Sequence, residues 1–175
     1  METAESIRKP LRPWEWVTSL DLKDAYLHIP VALADRKFLR FHVQGKTYQF
    51  WAMPFGLATA PKDFTEVIKE VKKMALRRGI QLHQYLDDWI NRALTYLLTG
   101  QSTARLLQLV ETLGLIVNRD KSTLVPTQVF DFIGYRYWLF LAKVTPTEDR
   151  VDAVRCTVSS LIASPAPQSD GGCLC

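Results

Sequence analysis

A chain of 175 residues, 47% hydrophobic and 23% charged, has the apolar mass for one core and the length of one domain, or of one piece of a larger protein. Its formal charge of +4 and pI of about 9.0 are compatible with a nucleic-acid partner. The longest apolar runs, such as 137–142, fall far short of the ~20 residues a membrane-spanning helix needs, and no membrane partner is expected. Three late cysteines, Cys156, Cys173 and Cys175, make no even framework, and no basic-apolar-small leader opens the chain. Both features point to a reducing intracellular setting, cytoplasm or nucleus.

Residues 1–15 are charged and Pro-containing and read as a leader or loop, with Trp14 and Trp16 covering an edge of the core. Residues 17–22 alternate as a strand, with Val17, Ser19 and Asp21 on one face, so Asp21 ends the strand with its carboxylate projecting from the sheet. Residues 23–26 turn the chain. His28 and His42 lie inside apolar patterns without ligand spacing and read as structural. Residues 38–43 and 47–53 flank Gln44-Gly45-Lys46, a hairpin signal. A breaker-rich loop, 54–61, precedes a helix capped by Thr59, with Pro61 in its first turn. Its apolar stripe is Phe64, Val67, Ile68, Val71 and Ala75, and Gly79 stops it. Lys62, Lys69, Lys72, Lys73, Arg77 and Arg78 fall mainly off that stripe, diluted by Asp63, Glu66 and Glu70, as on a solvated face.

Strands are predicted over 80–86 and 89–94, bracketing Asp87 and Asp88. Gly100-Gln101-Ser102 reads as a break, with Ser102 capping a second helix whose stripe is Leu106, Leu109, Val110 and Leu113 and whose end is Gly114. A short strand over 115–118 precedes a loop carrying Lys121. Residues 129–133 and 135–144 are strand-like around Gly134. A weak helix over 145–162 and a disordered tail over 163–175 close the chain. This order fits an α+β fold, a ferredoxin-like split βαβ antiparallel sheet with helices on one face, its core domain spanning 16–144.

In such a sheet the Asp21 strand can lie beside the Tyr85-Leu86-Asp87-Asp88 hairpin, and three carboxylates converge. Asp is also a common turn residue for purely local reasons. Three carboxylates on a rigid sheet, however, can hold two divalent ions about 3.5–4 Å apart, as two-metal phosphoryl transfer requires. No Gly-x-x-x-x-Gly-Lys loop and no supported Ser/His/Asp or Cys/His set occurs, which argues against P-loop enzymes and covalent hydrolases.

Five stretches resemble the palm of reverse transcriptases, in family order and spacing over roughly residues 16–155. Ser19-Leu20-Asp21-Leu22-Lys23-Asp24-Ala25-Tyr26-Leu27-His28-Ile29 looks like the first catalytic motif. Met53-Pro54-Phe55-Gly56-Leu57-Ala58-Thr59-Ala60-Pro61-Lys62-Asp63-Phe64 looks like the template- and nucleotide-positioning motif, and Tyr85-Leu86-Asp87-Asp88 like the metal hairpin. Leu113-Gly114-Leu115 through Lys121-Ser122 is similar to the fourth motif, and Phe132-Ile133-Gly134-Tyr135 to the primer grip. Arg36-Lys37-Phe38-Leu39-Arg40-Phe41, with 85–89 and Val144-Thr145-Pro146, looks most like DIRS-type retrotransposons, and next like gypsy-like elements.

The resemblance implies an RNA-directed DNA polymerase acting on an RNA or DNA template with a primer and deoxynucleoside triphosphates. Asp21, Asp87 and Asp88, with the Leu22 carbonyl, would ligate two Mg2+ ions, or Mn2+. Lys121 would be the proton donor to pyrophosphate. Lys23, Asp24, Ala25, Tyr26, Phe55 and Gly56 would form the nucleotide pocket, Tyr26 excluding a 2′-hydroxyl. Pro54, Tyr85, Leu86, Gly134 and Tyr135 would touch nucleic acid. Asn91-Arg92 departs from the pattern, placing polar groups in a strand that is usually apolar. Arg8-Lys9-Pro10-Leu11-Arg12 does not align with the family's basic fingers segment, and no thumb follows Val144, so a palm-centred fragment is expected. The alternative reading is a catalytically silent retroelement remnant that only binds nucleic acid; a palm-fold cyclase or RNA polymerase is a third.

Overall fold

The computed structural model describes residues 11–163. The expectations for residues 1–10, for Cys173 and Cys175, and for the tail beyond Ala163 lie outside the described residues. Nine strands are described: β1 (Trp16–Asp21), β2 (Arg40–Val43), β3 (Lys46–Gln49), β4 (Gln81–Tyr85), β5 (Asp88–Ala93), β6 (Thr123–Thr127), β7 (Val129–Phe132), β8 (Tyr135–Trp138) and β9 (Lys143–Pro146). Three α-helices join them: α1 (Ala60–Arg77), α2 (Tyr96–Thr112) and α3 (Glu148–Ala163).

The main sheet runs β4-β5-β1-β6, and β1 is antiparallel to both neighbours. With α1 between β1 and β4 and α2 between β5 and β6, this is the split βαβ arrangement expected of the sequence. Both helices pack on one face. Leu20, Leu22, Leu82 and Trp89 meet Phe64, Ile68, Ala75, Leu106 and Val110 there in the larger core. The other face carries a second core, in which Val17 and Ile90 pack with Phe130, Phe132 and Tyr137 of the separate β7-β8-β9 sheet. The central strands are therefore buried on both sides, as in a sandwich layer.

Local chemistry explains the ends. Gln44-Gly45 and Ile133-Gly134 both take positive φ at two successive residues (49° and 73°; 49° and 71°), the backbone of a two-residue type I′ hairpin, for which Gly is suited at the second place. Helix α1 stops at Gly79, whose φ is 74°, as its composition dictates.

Several expectations are corrected. Thr59 precedes α1 but makes no side-chain cap bond, and Val67 and Leu113 are exposed on their helices. Helix α2 begins six residues before Ser102: Thr95 is its cap, its Oγ1 accepting from the Leu98 amide at 3.2 Å. Ser102 is instead buried within the helix. Residues 115–118 form no strand, only a bridge between Val117 and Leu22, while β6 was not anticipated. Trp14 is exposed and only Trp16 packs, edge-on against Tyr96 at 5.2 Å. His42 is exposed on the β2–β3 hairpin. His28 does staple the fold: its Nε2 accepts from the Ile116 amide at 3.1 Å. The 135–144 stretch is split into β8, a short 3-10 turn and β9.

Candidate active site

The site lies where β1 ends beside the β4–β5 turn. The β1–β5 ladder pairs Trp16 with Ala93 and runs to Asp21 opposite Asp88. Residues directly opposite in an antiparallel ladder share a face, with Cα atoms about 4.5–5.5 Å apart. Asp21 and Asp88 thus project together from the face away from the helices, at the end of the β1–β5 ladder. Asp87 sits in the two-residue turn, and its carbonyl accepts from the Leu22 amide at 3.0 Å, stitching turn to strand.

That turn is held under tension. Leu86 has φ +52°, a conformation unfavourable for a branched side chain. The Leu86 carbonyl is fixed by Trp89, whose Nε1 donates to it at 2.9 Å from a fully buried ring. The end of β1 is clamped from the other side as well. The Asp21 amide donates to Ser122 Oγ at 3.0 Å, its carbonyl accepts from the Asn118 amide at 2.8 Å, and its carboxylate accepts from the Asn118 side chain. Asn118, Ser122 and Trp89 were not singled out from the sequence. Polar residues in a loop after Gly114 carried no signal of what they would bind.

Charge accumulates here. The Asp88 carboxyl is pushed up to about 6, first by loss of solvation and then by Asp87 and Asp21, with Lys121 pulling the other way. Asp88 as a residue keeps solvent contact, so the loss of solvation is local to its carboxyl. Asp21 is raised too, by burial and then by Asp87, against the lowering effects of Lys121 and Asn118. The Tyr26 hydroxyl is raised by burial, then by Asp87 and Tyr85. Tyr26 therefore faces the acidic group, its ring packed on Phe55 at 5.1 Å and Phe64 at 5.5 Å.

The structure thus brings together Asp21, Asp87, Asp88, Tyr26, Tyr85 and Lys121, with Leu22 and Leu86 supplying backbone. Ala25 is buried beside them, and Lys23 and Asp24 are exposed, Asp24 at φ +50°. Pro54, Phe55 and Gly56 line the loop into α1, Phe55 60% exposed although its ring meets Tyr26. Gly134 and Tyr135 lie in the β7–β8 turn, where Arg150 stacks on Tyr135 at 4.5 Å and donates to the Ile133 carbonyl. Tyr135 and Tyr85 pack against the same core.

A crowd of hard oxygen donors, mutually repelling and short of positive charge, fits a divalent cation. Among the described residues no three His, Cys, Asp or Glu side chains converge into a ready-made cage. Mg2+ is held by one or two carboxylates together with substrate phosphates, so the donor set suits that mode rather than a closed protein site.

An antiparallel βαββαβ sheet with helices on one face and paired carboxylates on the other defines a polymerase-type palm. Residues 2–137 match the family described as reverse transcriptase (RNA-dependent DNA polymerase), and the chain belongs to it. It is 29% identical over 137 residues to the Transposon Tf2-3 polyprotein of Schizosaccharomyces pombe, covering 78% of this chain and 10% of that polyprotein. It is 36% identical over 76 residues to the retrovirus-related Pol polyprotein from transposon gypsy of Drosophila melanogaster, covering 43% of this chain and 7% of that one. The chain thus spans about a tenth of the length of such relatives. The fold is similar to the foamy viral protease-reverse transcriptase solved with double-stranded DNA (TM-score 0.76, 18% identity, 89% of this chain and 26% of that one). It is likewise similar to that enzyme with an RNA/DNA hybrid (TM-score 0.72, 21% identity, 94% and 21%).

Proposed function

We propose that this chain is the palm portion of a retrotransposon RNA-directed DNA polymerase, extending a primer 3′-hydroxyl on an RNA or DNA template with deoxynucleoside triphosphates. The observation that carries the reading is Asp21 opposite Asp88 on one rung, with Asp87 bonded through its carbonyl to Leu22. Asp21, Asp87 and Asp88, with the Leu22 carbonyl, would hold two Mg2+ or Mn2+ ions. Bound there, the ions would lower the pKa of the attacking hydroxyl and stabilise the leaving oxygen.

The chain's own groups position the reactants. Tyr26, braced by Phe55 and Phe64, would fill with its ring the space a 2′-hydroxyl needs. Lys23, Asp24 and Ala25 frame the nucleotide from the turn after β1, and Phe55 and Gly56 pack on it from the other side. Lys121, whose charge reaches both Asp21 and Asp88, donates a proton to the departing pyrophosphate. Pro54, Tyr85 and Leu86 contact the nucleic acid, and Gly134 and Tyr135 hold the primer backbone. The foamy viral enzymes solved with duplex and hybrid support a template–primer partner at the acidic end of the sheet.

The domain division proposed is a leader over 1–15, a palm over 16–144 and a segment over 145–162 leading toward a thumb, followed by a tail; the helix expected over 145–162 begins only at Glu148, because 145–146 pair in β9. The setting is intracellular. A DIRS-type parent rests on 36–41, 85–89 and 144–146. The binding-only remnant draws on the basic face of α1, but Lys69 and Lys73 there are bonded to Glu66 and Glu70 at 2.6 Å, which leaves that face weakly charged. Primer extension on an oligo(dT)-primed RNA with Mg2+ or Mn2+ tests the polymerase reading. Extension lost in Asp87→Asn is expected. Salt-sensitive duplex binding unchanged by Asp87→Asn, with no extension at all, supports the remnant instead.

A further inference from the structure

Asn91 is fully buried in the middle of β5, three residues beyond Asp88. Its Nδ2 donates to Ser102 Oγ at 2.8 Å and Thr103 Oγ1 at 3.0 Å, and its Oδ1 accepts from Ser102 Oγ at 3.2 Å. Thr18, its partner across the ladder, shares a hydrogen bond with Thr103 at 2.7 Å. A buried amide thus ties β1 and β5 to one face of α2.

The surroundings show what this device is for. Register is well specified where one strand face is apolar and the other wet, because a slip then exposes the wrong side chains. Here that discrimination is missing. Val17 and Ile90 on one face, and Leu20 and Trp89 on the other, are all about equally buried. A one-residue slip of β5 trades Trp89 for Ile90; a two-residue slip places Trp89 or Ala93 where Asn91 stands. On the helix face only Asn91 finds hydroxyls waiting at a single position; on the other face Arg92 adds an ion pair with Glu15 at 2.7 Å. Buried polar groups of this kind can fix register at some expense in stability.

We infer that Asn91 is a positioning residue: its bonds to Ser102 and Thr103 lock the β1–β5 register that sets Asp88 opposite Asp21. The inference rests on the polymerase reading for its functional consequence. The hydroxyls do not depend on Asn91 for partners, since each can give its single proton to the Thr99 carbonyl, Ser102 at 3.0 Å in place of Asn91 Oδ1 and Thr103 at 2.7 Å. Asn91→Val therefore orphans no buried hydroxyl and suits a strand, separating register from stability.

The test uses the full chain, metal-free, with Mn2+ alone as probe. In Asn91→Val, amide NMR signals of 88–92 should double while the melting temperature holds. Mn2+ affinity, from the free-ion EPR signal, should weaken about 10-fold or more, as for lost outer supports of metal ligands. The swapped pair Thr18→Asn with Asn91→Thr keeps an amide on the same rung within reach of Thr103, and should restore one signal set and Mn2+ affinity. Asn91→Val with single signals and unchanged Mn2+ affinity overturns the proposal. If Asn91→Val does not fold, the swap decides: wild-type Mn2+ affinity sustains the lock, and weakened affinity or loss of folding overturns it. Wild-type protein that binds Mn2+ neither alone nor with a deoxynucleoside triphosphate sinks the polymerase reading instead, and the NMR signals alone then judge the register.

Discussion

Asp88 bears most of the electrostatic strain of the acidic group. Its folded pKa of about 6 lies above the ordinary 3.8, so the folded protein binds that proton more tightly than the unfolded chain does. Metal-free stability therefore falls as pH rises between about 4 and 6 and stays lower above. Asp88→Asn removes the charge, and in EDTA it should melt above wild type at pH 7.5, with the gap closing toward pH 4. Solvent screening of an exposed residue keeps the gain to about 1 kcal/mol or less. The same variant should lose primer extension, so the position sacrifices stability for function. An equal gap at both pH values would remove the poorly solvated carboxylate charge as the cause. Tyr26 offers a second check. With its ring clamped by two phenylalanines, Tyr26→Ala should admit ribonucleotides, lowering the deoxy-to-ribo ratio of kcat/KM by about 10-fold or more. The three aspartates were legible in the sequence because alternation put Asp21 at a strand end and adjacent carboxylates at a turn. Asn118 and Ser122 were not, because their partners are backbone groups 97 and more residues away, as in the Asp21 carbonyl and amide.

Helix α2 shows where local reading fails at the scale of an element. Gly100 reads as a breaker, yet it sits in the second turn of a helix that Thr95 has already capped. Tertiary burial of Thr99, Ser102 and Thr103 against β1 and β5 overrides the local preference, and those residues buried in a helix are poor formers individually. Glycine in a helix interior costs about 0.5–1 kcal/mol relative to alanine. A Cβ built at Gly100 meets only Pro126 Cγ at 3.9 Å, ordinary contact. Gly100→Ala should therefore raise stability by about 0.5–1 kcal/mol in urea titrations with the metal site unaltered; destabilisation would show that α2 needs the bare backbone. Helix α1 was legible in its extent and in most of its stripe, because Phe64, Ile68, Val71 and Ala75 are buried and Gly79 stops it, whereas Val67 and the Thr59 cap were not. Strand β6 was missed because Thr123–Thr127 has Pro126 inside it, and proline is tolerated only where a strand lies at an edge, as β6 does.

Across the whole molecule, burial is uneven in a way that predicts its dynamics. The β1–β5 pair lies between two cores. The β2–β3 hairpin, in contrast, is a separate two-stranded sheet with every residue exposed, even though Phe41 and Tyr48 stack on each other at 5.6 Å. Two strands alone are marginal in water. Helix α3 is similar: Val151 is half-buried, while Val154, Val158, Leu161 and Ile162 are exposed, so little apolar contact offsets the entropy of ordering it. Local opening should thus be cheap in both places and expensive in the centre. In native-state hydrogen exchange, the β2–β3 and α3 amides should exchange through local opening, with rates insensitive to mild denaturant. The amides of Trp89, Ile90 and Asn91 should exchange only through global unfolding, their rates rising with urea as the whole-chain transition does. Comparable protection in hairpin and central strands would mean that the hairpin is stabilised by contacts other than those described. The contrast matters for the proposed chemistry, because it places the acidic pair at the end of the most buried ladder of the fold, while the opening expected of the β2–β3 hairpin and of α3 leaves that ladder intact.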